Sequence, residues 1–544
     1  MAELTRTGFS PVSVRTGEAI QLAMQQLWLD GQVLPFGARL RVRHRFRSAE
    51  ARPLEVIYAF ALPRDAALRR FRVVGDGFAV RSELRKADEA RRRYEEALEN
   101  GHLATLAQQY GDGLVNLTLG NLRPGEMAAV YLEILAGVES HDKGFRFRFP
   151  FTLAPGYHAR ARVAAGGEIE LPEEEFGDLI LPQWREDAAG LHEVGFDLRV
   201  SMPCAIREIG SPSHAVRVTN EGEGRGRVQA AAETNVPDRD LILDVNAAVS
   251  LSGVSSGVDE KGRGRFVALI PSEQFGQTRG SARRVVFVLD RSGSMVGVTI
   301  AQARRAIEAC LGAFSAEDEF GIVAFDNAAE SFGEKLVKAT RDNRDAARDF
   351  LKGIDARGGT ELAAGVLEGA RMLGERGGDI LLATDGQVFG TEAIQRRIRG
   401  LGIRVHCLGI GAASQDRFLS LLARQTGGVS RFLSPNERVD LAALELFDGI
   451  GRPVATEVNV RVEAPGGEVA VEPAKSVFAS TPLVVFGVAA ASGDARLEVG
   501  WKGGGCLEIP FTIGESKLGE VVRLLTGARV LTDLESQGPE ELQP

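Results

Sequence analysis

The stretch Val285-Val286-Phe287-Val288-Leu289-Asp290-Arg291-Ser292-Gly293-Ser294-Met295 runs an apolar strand into Asp-x-Ser-x-Ser. One carboxylate and two hydroxyls should therefore project from the loop at its C-terminal end. Gly358-Gly359-Thr360-Glu361-Leu362 adds a loop threonine, and Ile380-Leu381-Leu382-Ala383-Thr384-Asp385-Gly386 is a second apolar strand that ends in an aspartate. Asp290, Ser292, Ser294, Thr360 and Asp385 offer only oxygen atoms, few of them charged. That set suits a hard divalent cation, Mg²⁺ (or Mn²⁺/Ca²⁺), and not zinc or iron. With at most two carboxylates around it, such a cation keeps much of its charge and readily accepts a further carboxylate from outside. The chemistry expected is capture of an acidic side chain of a protein partner. A lone Asp-x-Ser-x-Ser would be ordinary turn chemistry; three pieces in order, two of them at strand ends, point to a metal-dependent recognition site.

The surrounding pattern can position these residues. After strand 284–290 comes a helical segment from Thr299 to Phe314, with Ile300, Ala303, Ile307, Cys310, Leu311 and Phe314 at helical spacing. Strand 320–325, helices Asp342 to Leu351 and Glu361 to Leu373, strand 379–384, and a helix near Glu392 to Arg399 follow. Strand Ile403 to Leu408 and helices Asp416 to Gln425 and Glu437 to Gly449 close the series. Short strands alternating with helices mean a parallel sheet, whose ligands bind outside the carboxyl ends of the strands. The set resembles the von Willebrand factor type A domain over about 281–452. The resemblance implies a doubly wound α/β fold with a metal-ion-dependent adhesion site (MIDAS) at Asp290, Ser292, Ser294, Thr360 and Asp385.

Residues 1–150 read as a β-sandwich with one helical insertion. Arg39, Arg41, Arg43, Arg45 and Arg47 alternate with Leu40, Val42, His44 and Phe46, the mark of a half-buried strand. Phe145, Phe147 and Phe149 alternate with Arg146 and Arg148 in the same way. The arginine stripe fits the solvated face of an edge strand, or a docking face for an acidic partner or for an acidic patch of this same chain. A charged helix runs from Lys86 to an Asn100-Gly101 stop. Tyr58-Ala-Phe-Ala-Leu-Pro63, Ala90-x₃-Tyr94-x₂-Ala97-x₃-Gly101 and Leu119-Gly120-Asn121-Leu122-x-Pro124-Gly125-Glu126 resemble the vault protein inter-alpha-trypsin (VIT) domain, over about 10–137. That domain precedes a type A domain in inter-alpha-trypsin inhibitor heavy chains, and bacterial proteins also carry the pair.

Strand alternation returns at 195–280 and again at 455–515. Neither set is long enough for a sandwich alone, so 151–280 is expected to pair with 453–515 in one hybrid-like sandwich, with 281–452 as an insert. Residues 516–544 read as a C-terminal helix. The fold class expected is thus multidomain α+β: β-sandwich domains plus one doubly wound α/β domain.

Composition narrows the function. Lys+Arg 65 against Asp+Glu 74 gives a net charge of −9, which argues against a dedicated nucleic-acid binder. No segment has the ~20 apolar residues of a membrane span, and the first residues lack an apolar leader core, so a cytoplasmic location is expected. Cys310 and Cys407 read as reduced core thiols. No phosphate loop or catalytic constellation is present. Gly409-Ile-Gly411-Ala-Ala-Ser414 is a tight βα turn, Asn116-Leu117-Thr118 an incidental sequon, and His44 and His406 core residues. No enzyme is expected. The two function classes are a metal-dependent protein-binding scaffold and an accessory subunit that presents clients to an AAA+ ATPase of the MoxR or chelatase kind.

Overall fold

Residues 8–10, 12–13, 22–48, 51, 53–83, 85–110, 114–151, 162–163, 169–170, 183–185, 192–231, 239–276, 282–386, 388, 391–399, 401–411, 416–434, 437–469 and 474–535 are described by the computed structural model. Along Gly37–Ser48, Leu40, Val42, His44 and Phe46 are buried, and the arginines between them point the other way. The strand is not an edge. It lies fifth in an eight-stranded sheet, between Leu22–Leu34 and Met127–Ala136. Its stripe is therefore the open face of a sheet interior, and edge protection does not explain it. Phe60, Val115, Leu117, Phe145 and Phe147 close the sandwich from the opposite layer in one continuous core.

The helix Ala87–Glu99 docks through the motif residues. Asn121, at φ 59, donates to the carbonyls of Leu98 and His102, and a Cβ on Gly120 would lie 2.1 Å from Leu98. Only glycine lets the helix approach so closely.

The division between sandwiches differs from the one expected. Glu193–Ser201 runs parallel to Leu22–Leu34, and Phe196, Leu198, Val200, Val228, Leu241, Leu243 and Val245 share the first core. Among the described strands of 195–280, Gly253–Val258 and Gly264–Ile270 turn the other way, the latter pairing antiparallel with Leu483–Ala489. The physical reason is local fit. At Gly195 a Cβ would meet the Trp28 ring at 2.5 Å, and at Gly487 it would meet Phe266 at 2.1 Å. Each strand pair is keyed by a glycine opposite an aromatic ring, while period-two alternation is the same for both sandwiches. The residues expected in the sandwich between 151 and 191 lie almost wholly outside the described ones.

From Arg284 to Gly449 the chain forms the α/β unit. Glu319–Phe325, Arg284–Asp290, Asp379–Thr384, Arg404–Ile410 and Ser430–Leu433 are parallel, and short antiparallel strands Ala329–Ser331 and Val337–Lys338 edge the sheet. Val285, Phe287 and Leu289 enter one core and Val286 and Val288 the other, as a strand covered on both faces must. At the base of the sheet Arg283 donates to the Asp448 carbonyl at 3.2 Å, so the chain enters and leaves the unit side by side. The helix Gly519–Glu535 fills the seam between the two sandwiches. Val522 and Leu525 pack there with Leu34, Phe36 and Leu135 of the first, and with Val267 and Leu269 of the second.

Gly144–Phe149, expected to have one arginine face, is buried on both sides. Its phenylalanines fill the first core, and its arginines cross to the α/β unit. Arg146 pairs with Asp244 (2.7 Å) and Glu437 (2.8 Å) and donates to the Phe432 carbonyl. Arg148 pairs with Asp240 (2.6 Å) and Asp416 (2.7 Å). Asp65, held at φ 48, reaches Arg424 at 2.7 Å. The four cysteines are free; burial pushes the Cys310 thiol up to about 12.

Candidate metal centre

The two central strands of the α/β sheet set the site. Arg284–Asp290 and Asp379–Thr384 pair in parallel with Leu289 opposite Ala383, so Asp290 and Asp385 leave adjacent strands at the same carboxyl edge. Asp290 is fully buried; it accepts from the Ser292 amide (2.8 Å) and the Thr384 hydroxyl (2.5 Å). Burial pushes its carboxyl pKa up, and these donors offset only part of that. The Ser292 and Ser294 hydroxyls lie 3.0 Å apart. Asp385 is 4% exposed.

Thr360 comes from a different loop, which is tied down on both sides. The Gly293 amide donates to the Gly358 carbonyl (3.1 Å), the Gly359 amide to the Asn327 side chain (3.0 Å), and the Glu361 amide to the Asp326 carbonyl (2.7 Å). Gly358 takes φ 71, a left-handed turn that favours glycine. Arg291, inside the Asp-x-Ser-x-Ser run, is buried against Asp326 (3.1 Å), which also binds Arg357 (2.9 Å). These two arginines hold the Asp326 carboxyl below its usual range even though burial opposes them.

The buried Thr360 hydroxyl oxygen has no hydrogen-bond partner among the described residues. A buried orphan polar atom is costly and calls for an occupant. Two carboxylates, two serine hydroxyls and an unsatisfied threonine oxygen at one sheet edge are chemically suited to a hard cation. Among the described residues no group of three or more His, Cys, Asp or Glu is arranged to hold a metal; this set is of another kind, in which hydroxyls outnumber carboxylates.

Three contributors escaped sequence reasoning. Thr384, Asp326 and Asn327 orient the site without being among the expected ligands; the signal available was that Thr384 ends a motif strand and that Asp326 and Asn327 follow the strand Glu319–Phe325 beside it. Arg148 also reaches its flank. It donates to the carbonyl of Gly411 (3.2 Å), whose Cβ position lies 4.0 Å from that of Asp385. The turn after Gly411, residues 412–415, lies outside the described residues.

Two stretches of the chain match known domain families. Residues 24–134 match the vault protein inter-alpha-trypsin domain and residues 283–432 the von Willebrand factor type A domain. Human von Willebrand factor A domain-containing protein 5A is 25% identical over 470 residues, 80% of this chain and 58% of that protein. Human inter-alpha-trypsin inhibitor heavy chain H4 is 29% identical over 245 residues, 42% of this chain and 26% of that protein. Among solved structures, the von Willebrand factor type A protein from Catenulispora acidiphila covers 49% of this chain and 75% of its own, with TM-score 0.34 and 15% identity. The chain spans little more than half of protein 5A. It carries a VIT domain followed by a von Willebrand factor type A domain, and in that order it is similar to protein 5A and to the inter-alpha-trypsin inhibitor heavy chains.

Proposed function

We propose that the chain is a divalent-metal-dependent protein-binding scaffold, in which Mg²⁺ or Mn²⁺ at Asp290, Ser292, Ser294, Thr360 and Asp385 recruits a carboxylate of a protein partner. The observation that carries this is the buried Thr360 hydroxyl without a partner among the described residues, on the loop that the Gly293 amide, between Ser292 and Ser294, ties down through the Gly358 carbonyl. Serving as ligands, these neutral oxygens leave the cation electrophilic, and an acidic side chain is the natural external donor. A type A domain supports protein interaction as the general role. The chain's own groups do the positioning: Thr384 and the Ser292 amide orient Asp290, and Asn327 and Asp326 fix the Thr360 loop. No described helix is long and apolar enough to cross a membrane.

The test is Mn²⁺ binding by electron paramagnetic resonance in wild type, Asp290→Ala and Thr360→Val. Wild type should bind and both variants should lose affinity; equal affinity in all three would sink the assignment. Any partner retained in Mg²⁺ should be released by EDTA.

A further inference from the structure

The eight-stranded sheet carries a charge that the rest of the chain does not share. Its strands hold thirteen arginines, five carboxylates and no lysine, in a chain of net charge −9. Register lines them up across the outer face. Arg72 stands opposite Tyr131, Tyr131 opposite Arg43, and Arg43 opposite Trp28. Arg199 stands opposite Arg227, and Arg72 opposite Arg81. Like charges directly opposite one another destabilise a sheet, so folding alone does not call for this pattern. Internal carboxylates answer only part of it: Glu133 takes Arg39, Arg69 and Arg70, and Asp197 takes Arg227. Arg41, Arg47, Arg72 and Arg199 are exposed.

We propose that this face is a docking surface for an acidic protein segment, separate from the metal centre. Composition favours a protein over a nucleic acid. Arginine beside tryptophan and tyrosine, without lysine, is the mix of protein-interface hot spots, whereas tracking of phosphates draws on lysine and arginine alike. Arg41, Asp30 and Asp197 stand side by side in one row across the face. A continuous phosphate chain would collide with those carboxylates, while a peptide can leave gaps between its acids. Guanidinium forks grip carboxylates with two parallel hydrogen bonds. Alternate side chains of an extended acidic segment recur at roughly 6.6 Å, the spacing of Arg41, Arg43, Arg45 and Arg47 along their own strand.

The experiment is fluorescence anisotropy of a labelled poly-glutamate peptide titrated with the full chain in EDTA, which removes any contribution from the metal centre. Binding should exceed that of a poly-glutamine peptide, weaken with salt, and fall by roughly tenfold or more in Arg41→Glu/Arg47→Glu/Arg72→Glu. All three side chains are exposed, so an unchanged melting temperature certifies the variant. If it unfolds, Arg41→Gln/Arg47→Gln must show the loss. No preference for poly-glutamate over poly-glutamine, or equal affinity in the certified variants, overturns the proposal. So does tighter binding of a single-stranded oligonucleotide lost in the same variants, which would reassign the face to nucleic acid.

Discussion

Replacing Arg148 with methionine removes a link between the first sandwich and the type A domain while keeping an unbranched apolar stem. Burial pulls the Arg148 pKa down, and Asp416 and Asp240 more than reverse this, leaving it above its ordinary value. Methionine would leave Asp240 and Asp416, with side chains 4% and 11% exposed, without their opposing charge from this position. Breaking a buried pair in this way costs about 3–5 kcal/mol. Asp416 opens the helix Asp416–Thr426, where the positive end of the helix dipole favours an anion, so the lower end of that range applies. Three kcal/mol corresponds to a drop in melting temperature of roughly 6–12 °C for a domain of this size. Scanning calorimetry should show the transition moved down, or divided in two, since several domains need not melt as one. The triple variant Arg148→Met/Asp240→Asn/Asp416→Asn should recover most of the loss, because neutral replacement of a whole buried ion group is nearly neutral in energy. A single variant that melts with wild type, or a triple variant no better than the single, refutes this account of the clamp.

Saturating Mg²⁺ at about a hundredfold over its dissociation constant should stabilise the type A domain by about 2.7 kcal/mol; Asp290→Ala should lose that increment, and a metal-independent melting curve for wild type would count against the site. In the first sandwich, burial lowers His44 to about 3 and His192 to about 4 from an ordinary 6.5. The unfolded chain then binds more protons below pH 6.5, so stability falls as pH drops from there toward 4, by about 2 kcal/mol per histidine at pH 5. Melting between pH 7.5 and 5 should show that fall, reduced in His44→Phe; a flat profile contradicts it. Leu525, 4% exposed in the seam between the sandwiches, should cost roughly 2–5 kcal/mol as Leu525→Ala, measured by denaturant unfolding, and a change below 1 kcal/mol (on the order of a surface substitution) would mean that the helix does not hold the seam.

The type A domain was legible because each of its elements has a single apolar period. Strands buried on both faces read as unbroken apolar runs, and helices as three-to-four spacing; the structure places these helices within two residues of the expected bounds. Ser430–Leu433 was missed because Ser430-Arg431-Phe432-Leu433 is too short to show a period. Four residues of the candidate site, Asp290, Ser292, Ser294 and Asp385, were legible for a related reason: they end or directly follow such strands. What fixes Thr360 was not, since Asp326 and Asn327 reach it from another strand end. Sandwich membership was illegible because it depends on a glycine meeting a ring, Gly195 with Trp28 and Gly487 with Phe266, and alternation does not encode which sheet supplies the ring.

The two arginine strands make the same point more sharply. Arg39 to Arg47 and Arg146 to Arg148 obey one rule, arginine at every second residue, yet the first lies on an open face and the second is buried. What separates them is the presence of Asp240, Asp244, Asp416 and Glu437, which are distant in sequence and stand opposite only the second strand. Those carboxylates make burial of two guanidinium groups tolerable, and their positions have a consequence for the candidate site. Asp416 and Glu437 belong to the type A domain, and Arg148 also holds the carbonyl of Gly411, next to Asp385. The flank of the candidate metal centre is therefore built by both domains. A displacement of the first sandwich would act on the segment beside Asp385 before it could reach Ser292 or Ser294, which hang from the central strand and are held from within the type A domain.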